Sequence, residues 1–144
     1  MRNQYKILAE KYEQVLEAGQ EPVMTVNKNG AKEWRLNGKF HRLDGPAIES
    51  VGRGGKEWWQ NGKRHRLDGP AIELFGIAEE WWQNGKRHRL DGPAIEWADG
   101  FKAWYLNGKY YSEDAFNKEI WNRNPTRRNI LKKASGDVGI EMDI

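Results

Sequence analysis

The stretch EWWQNGKRHR, residues 57–66, decides the fold. Asn-Gly between two aromatic, alternating runs is the strongest short-range hairpin signal, because a type I′ turn needs positive φ at both central residues. A two-residue loop also fixes the register: Gln60 faces Lys63, Trp59 faces Arg64, Trp58 faces His65 and Glu57 faces Arg66. Side chains alternate across a strand, so Trp58 and His65 share one side while Trp59 and Arg64 share the other.

The unit recurs. Asn-Gly pairs begin at Asn37, Asn61, Asn84 and Asn107, at steps of 24, 23 and 23 residues, and the first three continue as HRLDGPAIE. A fixed period of this length signals a repeat architecture in which each unit buries its surface against its neighbours. The extra residue falls in SVGRGGKE, a glycine-rich turn that tolerates insertion.

The predicted register carries an internal test. The pair equivalent to Trp59–Arg64 is Arg35–Phe40, then Trp82–Arg87, then Tyr105–Tyr110. Aromatic and cation exchange places across the pair, as a cross-strand cation–π contact permits. The next pair out is Glu33–Arg42, Glu57–Arg66 and Glu80–Arg89, opposite charges that become Ala103–Ser112 in the fourth unit. The other face pairs Trp34 with His41, Trp58 with His65, Trp81 with His88 and Trp104 with Tyr111, a column expected to form the structural core. Asp-Gly-Pro supplies turn chemistry before Ala-Ile-Glu resumes as strand. The expected fold is mainly β: an antiparallel meander of four hairpin repeats, two strands per repeat, capped by an N-terminal helix and C-terminal helices.

The flanks read differently. Tyr5, Leu8, Tyr12, Val15 and Leu16 recur at helical spacing, which predicts an amphipathic helix within residues 1–22. The repeats occupy 27–111. Residues 112–134 read as two helices, the first with Ser112 as N-cap and the second, basic, from Thr126 to Ala134. Residues 135–144 form an acidic tail.

Composition bounds the class. The chain has 144 residues, 38% hydrophobic and 31% charged, with eight Trp, five Tyr and four Phe supplying most of the buriable surface. There is no cysteine, hence neither disulfide nor thiolate metal site. No apolar run reaches membrane-spanning length, and a cytoplasmic protein without membrane contact is expected. Equivalent residues of successive repeats lie two strands apart, roughly 10 Å, so His41, His65 and His88 cannot ligate one metal, nor can Asp44, Asp68 and Asp91 pair. The sequence contains no nucleophile–base pair and no phosphate loop. No catalytic residue, metal site or cofactor is assigned.

The period, the aromatic-x-x-Asn-Gly-Lys core and the following His resemble MORN repeats, whose units stack as β-hairpins into a single-file sheet. The resemblance covers residues 27–111. Where MORN units continue His-Gly-x-Gly this chain has HRLDGPA, which argues against the membrane association that MORN repeats imply. The NGKxHRxDGPA variant looks like repeats of bacteriophage accessory proteins, and implies a phage-encoded protein acting in the host cytoplasm. The expected function is a non-enzymatic protein–protein interaction module that inhibits or redirects a host protein. Its binding face would carry Trp59, Arg64, Arg66, Trp82, Arg87, Arg89, Tyr105 and Tyr110, residue types that dominate interface hot spots. The alternative is nucleic-acid binding, with Trp59 and Trp82 stacking on bases along a basic ladder.

Overall fold

The structure, a computed structural model, describes residues 19–123. The helix expected within 1–22, the basic helix at 126–134 and the tail at 135–144 lie wholly or almost wholly outside that range. Between them runs an antiparallel meander. Its strands are β1 (Val23–Val26), β2 (Lys32–Leu36), β3 (Lys39–Phe40), β4 (Ile48–Glu49), β5 (Lys56–Glu57), β6 (Trp59–Gln60) and β7 (Lys63–Arg64). There follow β8 (Ile72–Leu74), β9 (Ala78–Glu80), β10 (Trp82–Gln83), β11 (Lys86–Arg87), β12 (Ile95–Trp97), β13 (Lys102–Leu106) and β14 (Lys109–Tyr111). One helix, α1 (Glu113–Arg123), closes the described chain.

The Asn-Gly turns are as the sequence predicts. Asn37, Asn61, Asn84 and Asn107 have φ of 50, 51, 51 and 50°, and the following glycines lie between 75 and 82°. Trp59 pairs with Arg64 and Gln60 with Lys63 in the second repeat, and Trp82 with Arg87 and Gln83 with Lys86 in the third. Each repeat has two strands; the tryptophan strand is split in the second and third repeats and continuous, as β2 and β13, in the first and fourth. The first half of the tryptophan strand, such as β5, lies between two Ala-Ile-Glu strands, β4 and β8. Its second half, β6, pairs with its own hairpin partner β7.

The interruption sits at the tryptophan. His65 N–H donates to the Trp58 carbonyl at 3.0 Å, but the Trp58 N–H donates to Ala71 at 2.8 Å instead of returning to the hairpin. The first and third repeats fork in the same way at Trp34 and Trp81. This overturns the expected pairing of Glu33 with Arg42, Glu57 with Arg66 and Glu80 with Arg89. Glu57 lies opposite Ile48 and Ile72, because the Ala-Ile-Glu strands have taken over the ladder. In the fourth unit no such strand follows among the described residues, and the hairpin zips one pair further, to Trp104 and Tyr111.

Extending the register gives one row on one face: Trp34, Ala47, Trp58, Ala71, Trp81, Ala94, Trp104. Each alanine between two indoles is fully buried, at 0% exposure. The tryptophans themselves are only half-buried, as is Tyr111, which corrects the expectation that they form the core. A single-layer sheet has nothing large to lay over them. Arginines cover them instead: Arg42, Arg66 and Arg89 stand 3.9, 3.9 and 3.7 Å above Trp34, Trp58 and Trp81. Most buried hydrophobic residues are small or lie on the other face, with Ile72, Ile95, Ala78 and Ala103 among them; Leu106 and Phe116, where α1 packs, are the exceptions.

The two ends of the sheet are finished differently. β1 pairs with β2 from Val26 opposite Lys32 to Val23 opposite Arg35, and so takes the place of a preceding Ala-Ile-Glu strand. At the other end Ser112 caps α1 as expected, its Oγ accepting the Ala115 N–H at 3.3 Å. Phe116 is buried on the inner side of α1. Leu106, in the strand beneath α1, is 2% exposed.

A larger side chain between two indoles must displace one of them or its arginine lid. Ala71→Leu should therefore destabilise the protein by about 1–3 kcal/mol, read from the urea midpoint. The same change at exposed Ala98 should leave that midpoint within error.

Candidate interaction surface

Most letters of HRLDGPAIE that recur have a structural duty. In the second repeat Arg66 Nε donates to Asp68 at 2.9 Å, and Nη1 donates to the Pro70 carbonyl at 3.0 Å and Glu73 at 2.7 Å. Arg42 and Arg89 repeat the arrangement with Asp44, Pro46 and Glu49, and with Asp91, Pro93 and Glu96. The glycine of Asp-Gly-Pro leaves room for the guanidinium: a Cβ at Gly69 would lie 2.9 Å from Arg66 Cζ. Arg66 and Arg89 thus sit over Trp58 and Trp81, apart from the face to which the sequence assigned them. Sequence reasoning missed this because the partners lie two, four and seven residues downstream, beyond the hairpin.

The histidines join repeats. Nδ1 of His41, His65 and His88 accepts the backbone N–H of Asn61, Asn84 and Asn107 at 3.0, 3.0 and 2.9 Å. The neutral ring therefore carries its proton on Nε2. For His41 this Nε2 is buried and has no partner among the described residues. The fourth unit has Tyr111 at this position and no following turn to receive. Among the described residues no group of His, Asp and Glu is arranged to hold a metal ion.

The face opposite the tryptophan column gathers the other predicted residues. Arg35 lies 3.7 Å from the Phe40 ring, Arg64 4.6 Å from Trp59 and Arg87 4.9 Å from Trp82, each pair across one hairpin. The contacts continue between repeats, with Phe40 5.5 Å from Trp59, Arg64 5.4 Å from Trp82 and Arg87 5.6 Å from Tyr105. Tyr105 and Tyr110 meet edge to face at 5.6 Å and complete the stripe. Trp59, Arg64, Trp82, Arg87, Tyr105 and Tyr110 are thus brought together, joined by Arg35 and Phe40.

Each inner rung also holds a carboxylate. Glu57 Oε2 accepts both the Trp59 indole N–H and Arg64 Nε at 3.1 Å. Glu80 does the same for Trp82 at 3.0 Å and Arg87 at 3.1 Å. In the first repeat Glu33 meets Arg35 at 3.1 Å, and Asn27 Nδ2 donates to it at 2.8 Å. The Asn27 hydrogen bond, then Arg35, holds the Glu33 carboxyl below its usual range. In the fourth unit Glu and Arg are lost together. The alternation of Glu57 with Trp59 along one strand was the signal that they share a face.

Among the described residues no helix is long and apolar enough to cross a membrane. No family model, curated protein or solved structure matches the chain.

Burial holds His41 and His88 below the ordinary imidazole value of 6.5, and the charge of Arg123 lowers His88 further. The unfolded chain then binds protons that the folded chain refuses. Stability is complete above about pH 6.5 and declines as pH falls below it. The urea midpoint should hold level above that value and drop on acidification toward about pH 5. In a His41→Gln, His88→Gln variant this dependence should shrink.

Proposed function

We propose that the chain is a non-enzymatic protein–protein interaction module that presents the aromatic–guanidinium stripe to a protein partner. The observation that supports this reading is the pairing of each guanidinium on the stripe with a glutamate at 3.1 Å. Each rung is close to neutral, half apolar and held in place before any partner arrives. Preorganised Trp, Tyr and Arg side chains give up little freedom on binding, which is why such residues dominate hot spots. The likeness to phage repeats directs the search to a host protein that is blocked or redirected by surface complementarity.

Nucleic acid is the weaker reading. Polyanion binding draws its affinity from cations that release counterions, and cations already engaged by carboxylates contribute little. Lys39, Lys63, Lys86 and Lys109 lie outside the stripe, at the hairpin tips.

Affinity purification from host cells tests the proposal. The chain should recover a stoichiometric protein, and Trp82→Ala with Tyr105→Ala should weaken capture by roughly 30-fold or more while leaving the fold intact. Recovery of nucleic acid alone, with affinity falling steeply as salt rises, would replace this reading with the other.

A further inference from the structure

The strands β4, β8 and β12 each lie between two tryptophan strands. β1 occupies the equivalent place at the start of the sheet, but among the described residues it pairs with β2 alone. On the tryptophan face Met24 stands opposite Trp34, and so holds the position that Ala47, Ala71 and Ala94 hold further along. Those alanines are fully buried between two indoles, whereas Met24 is 47% exposed and Val23 and Val26 are 65 and 60% exposed.

The open side of β1 carries backbone groups as well as side chains. Trp34 N–H is donated to the Ala47 carbonyl, away from β1, and Asn27 N–H is donated to the Ala31 carbonyl. Bonded and unbonded pairs alternate along an antiparallel ladder, so Val23, Thr25 and Asn27 bond toward β2 while Met24 and Val26 turn their N–H and C=O outward. Natural sheets guard such an edge with a charged residue, a proline or a bulge. Val-Met-Thr-Val carries no charge, and Pro22 only ends the run. At the other end of the sheet β14 begins with Lys109 and leads into α1.

This edge is complementary to itself. We propose that the chain forms a twofold dimer by antiparallel pairing of β1 with β1 of a second copy, the axis passing through Thr25. Met24 then exchanges backbone bonds with Val26 of the second copy, and Val26 with Met24 of the second copy, so that each outward group of the strand is used. Shifting the register by one residue would set outward groups against inward ones. Shifting it by two would set an outward residue against Pro22, which has no N–H, or against Lys28 in the turn. On the tryptophan face Met24 and Val26 of both copies form an apolar cluster that extends each indole column, and on the other face Thr25 meets Thr25. Past the paired strands Glu21 of each copy lies next to the position facing Lys28 of the other, which puts opposite charges at both ends. The pairing sets both aromatic–guanidinium stripes on one face of a continuous sheet, and it stands whether or not the stripe binds a protein. A contact made by one short strand belongs to the small, concentration-dependent class of interface.

In sedimentation equilibrium the full-length protein should move from the mass of one chain to that of two as its concentration rises toward about 1 mM. The chain has no cysteine, so cross-linking can read the register. Thr25 opposite Thr25 is an unbonded pair with Cα atoms about 4.5 Å apart, within the range a disulfide spans. Val23 would lie roughly 14 Å from its counterpart. Both residues are exposed, and Thr25→Cys should oxidise to a linked dimer at least about ten-fold faster than Val23→Cys. Val26→Pro removes an outward N–H and no bond to β2, and should leave a monomer. Met24→Lys, a change at a half-exposed side chain, sets charge in the middle of the contact and should do the same if the proline unfolds the protein. The mass of one chain at every concentration, equal oxidation rates for the two cysteines, or a dimer unchanged by Met24→Lys would overturn the pairing.

Discussion

Two backbone amides at each of the last three Asn-Gly tips hold the stack together. In an isolated two-residue hairpin the N–H groups of both turn residues point outward to water. Here Asn61 N–H is donated to His41 Nδ1, and Gly62 N–H to the Phe40 carbonyl at 2.9 Å. The next two junctions repeat both bonds. Positive φ at the asparagine aims these amides at the preceding repeat, so the reversal that sets the register also joins the units. Stability in such an array is a sum of unit and nearest-neighbour terms, and these bonds belong to the second kind.

The rest of the motif follows from building a sheet one layer thick. With no second layer to cover the indoles, Trp34, Trp58 and Trp81 each need a lid, and an arginine stacked at 3.7–3.9 Å supplies it. A lid that carries charge needs acceptors, which the Asp, the Pro carbonyl and the distant Glu provide. The glycine gives the guanidinium space, and the alanine keeps adjacent indoles in contact. Because structure uses nearly every recurring letter, function has to be sought where repeats differ or where side chains are left over. The stripe is one such place.

How much of this could be read from the sequence depends on range. The turn, its register and the exchange of Arg35–Phe40 for Trp59–Arg64 were legible, because two-residue hairpins are local. The fork at Trp58 was not, since it depends on the Ala71 carbonyl thirteen residues on competing for one N–H. The same blindness sent Arg66 to the wrong face and wrongly paired it with Glu57. The role of His41 lay twenty residues away, across a repeat boundary. Only the coincidence that Tyr111 replaces histidine in the last unit, where no turn follows, hinted at it. Burial of the tryptophans was overestimated because periodicity says which side chains share a face, but not whether anything covers that face.

The amides at the turns test the account most directly. Hydrogen exchange followed by NMR at Asn61, Asn84 and Asn107 should be slow, although these residues are exposed, because each amide is donated to a histidine ring. The Asn37 amide has no preceding repeat to receive it and should exchange fast. Equally fast exchange at all four would contradict the stack described here.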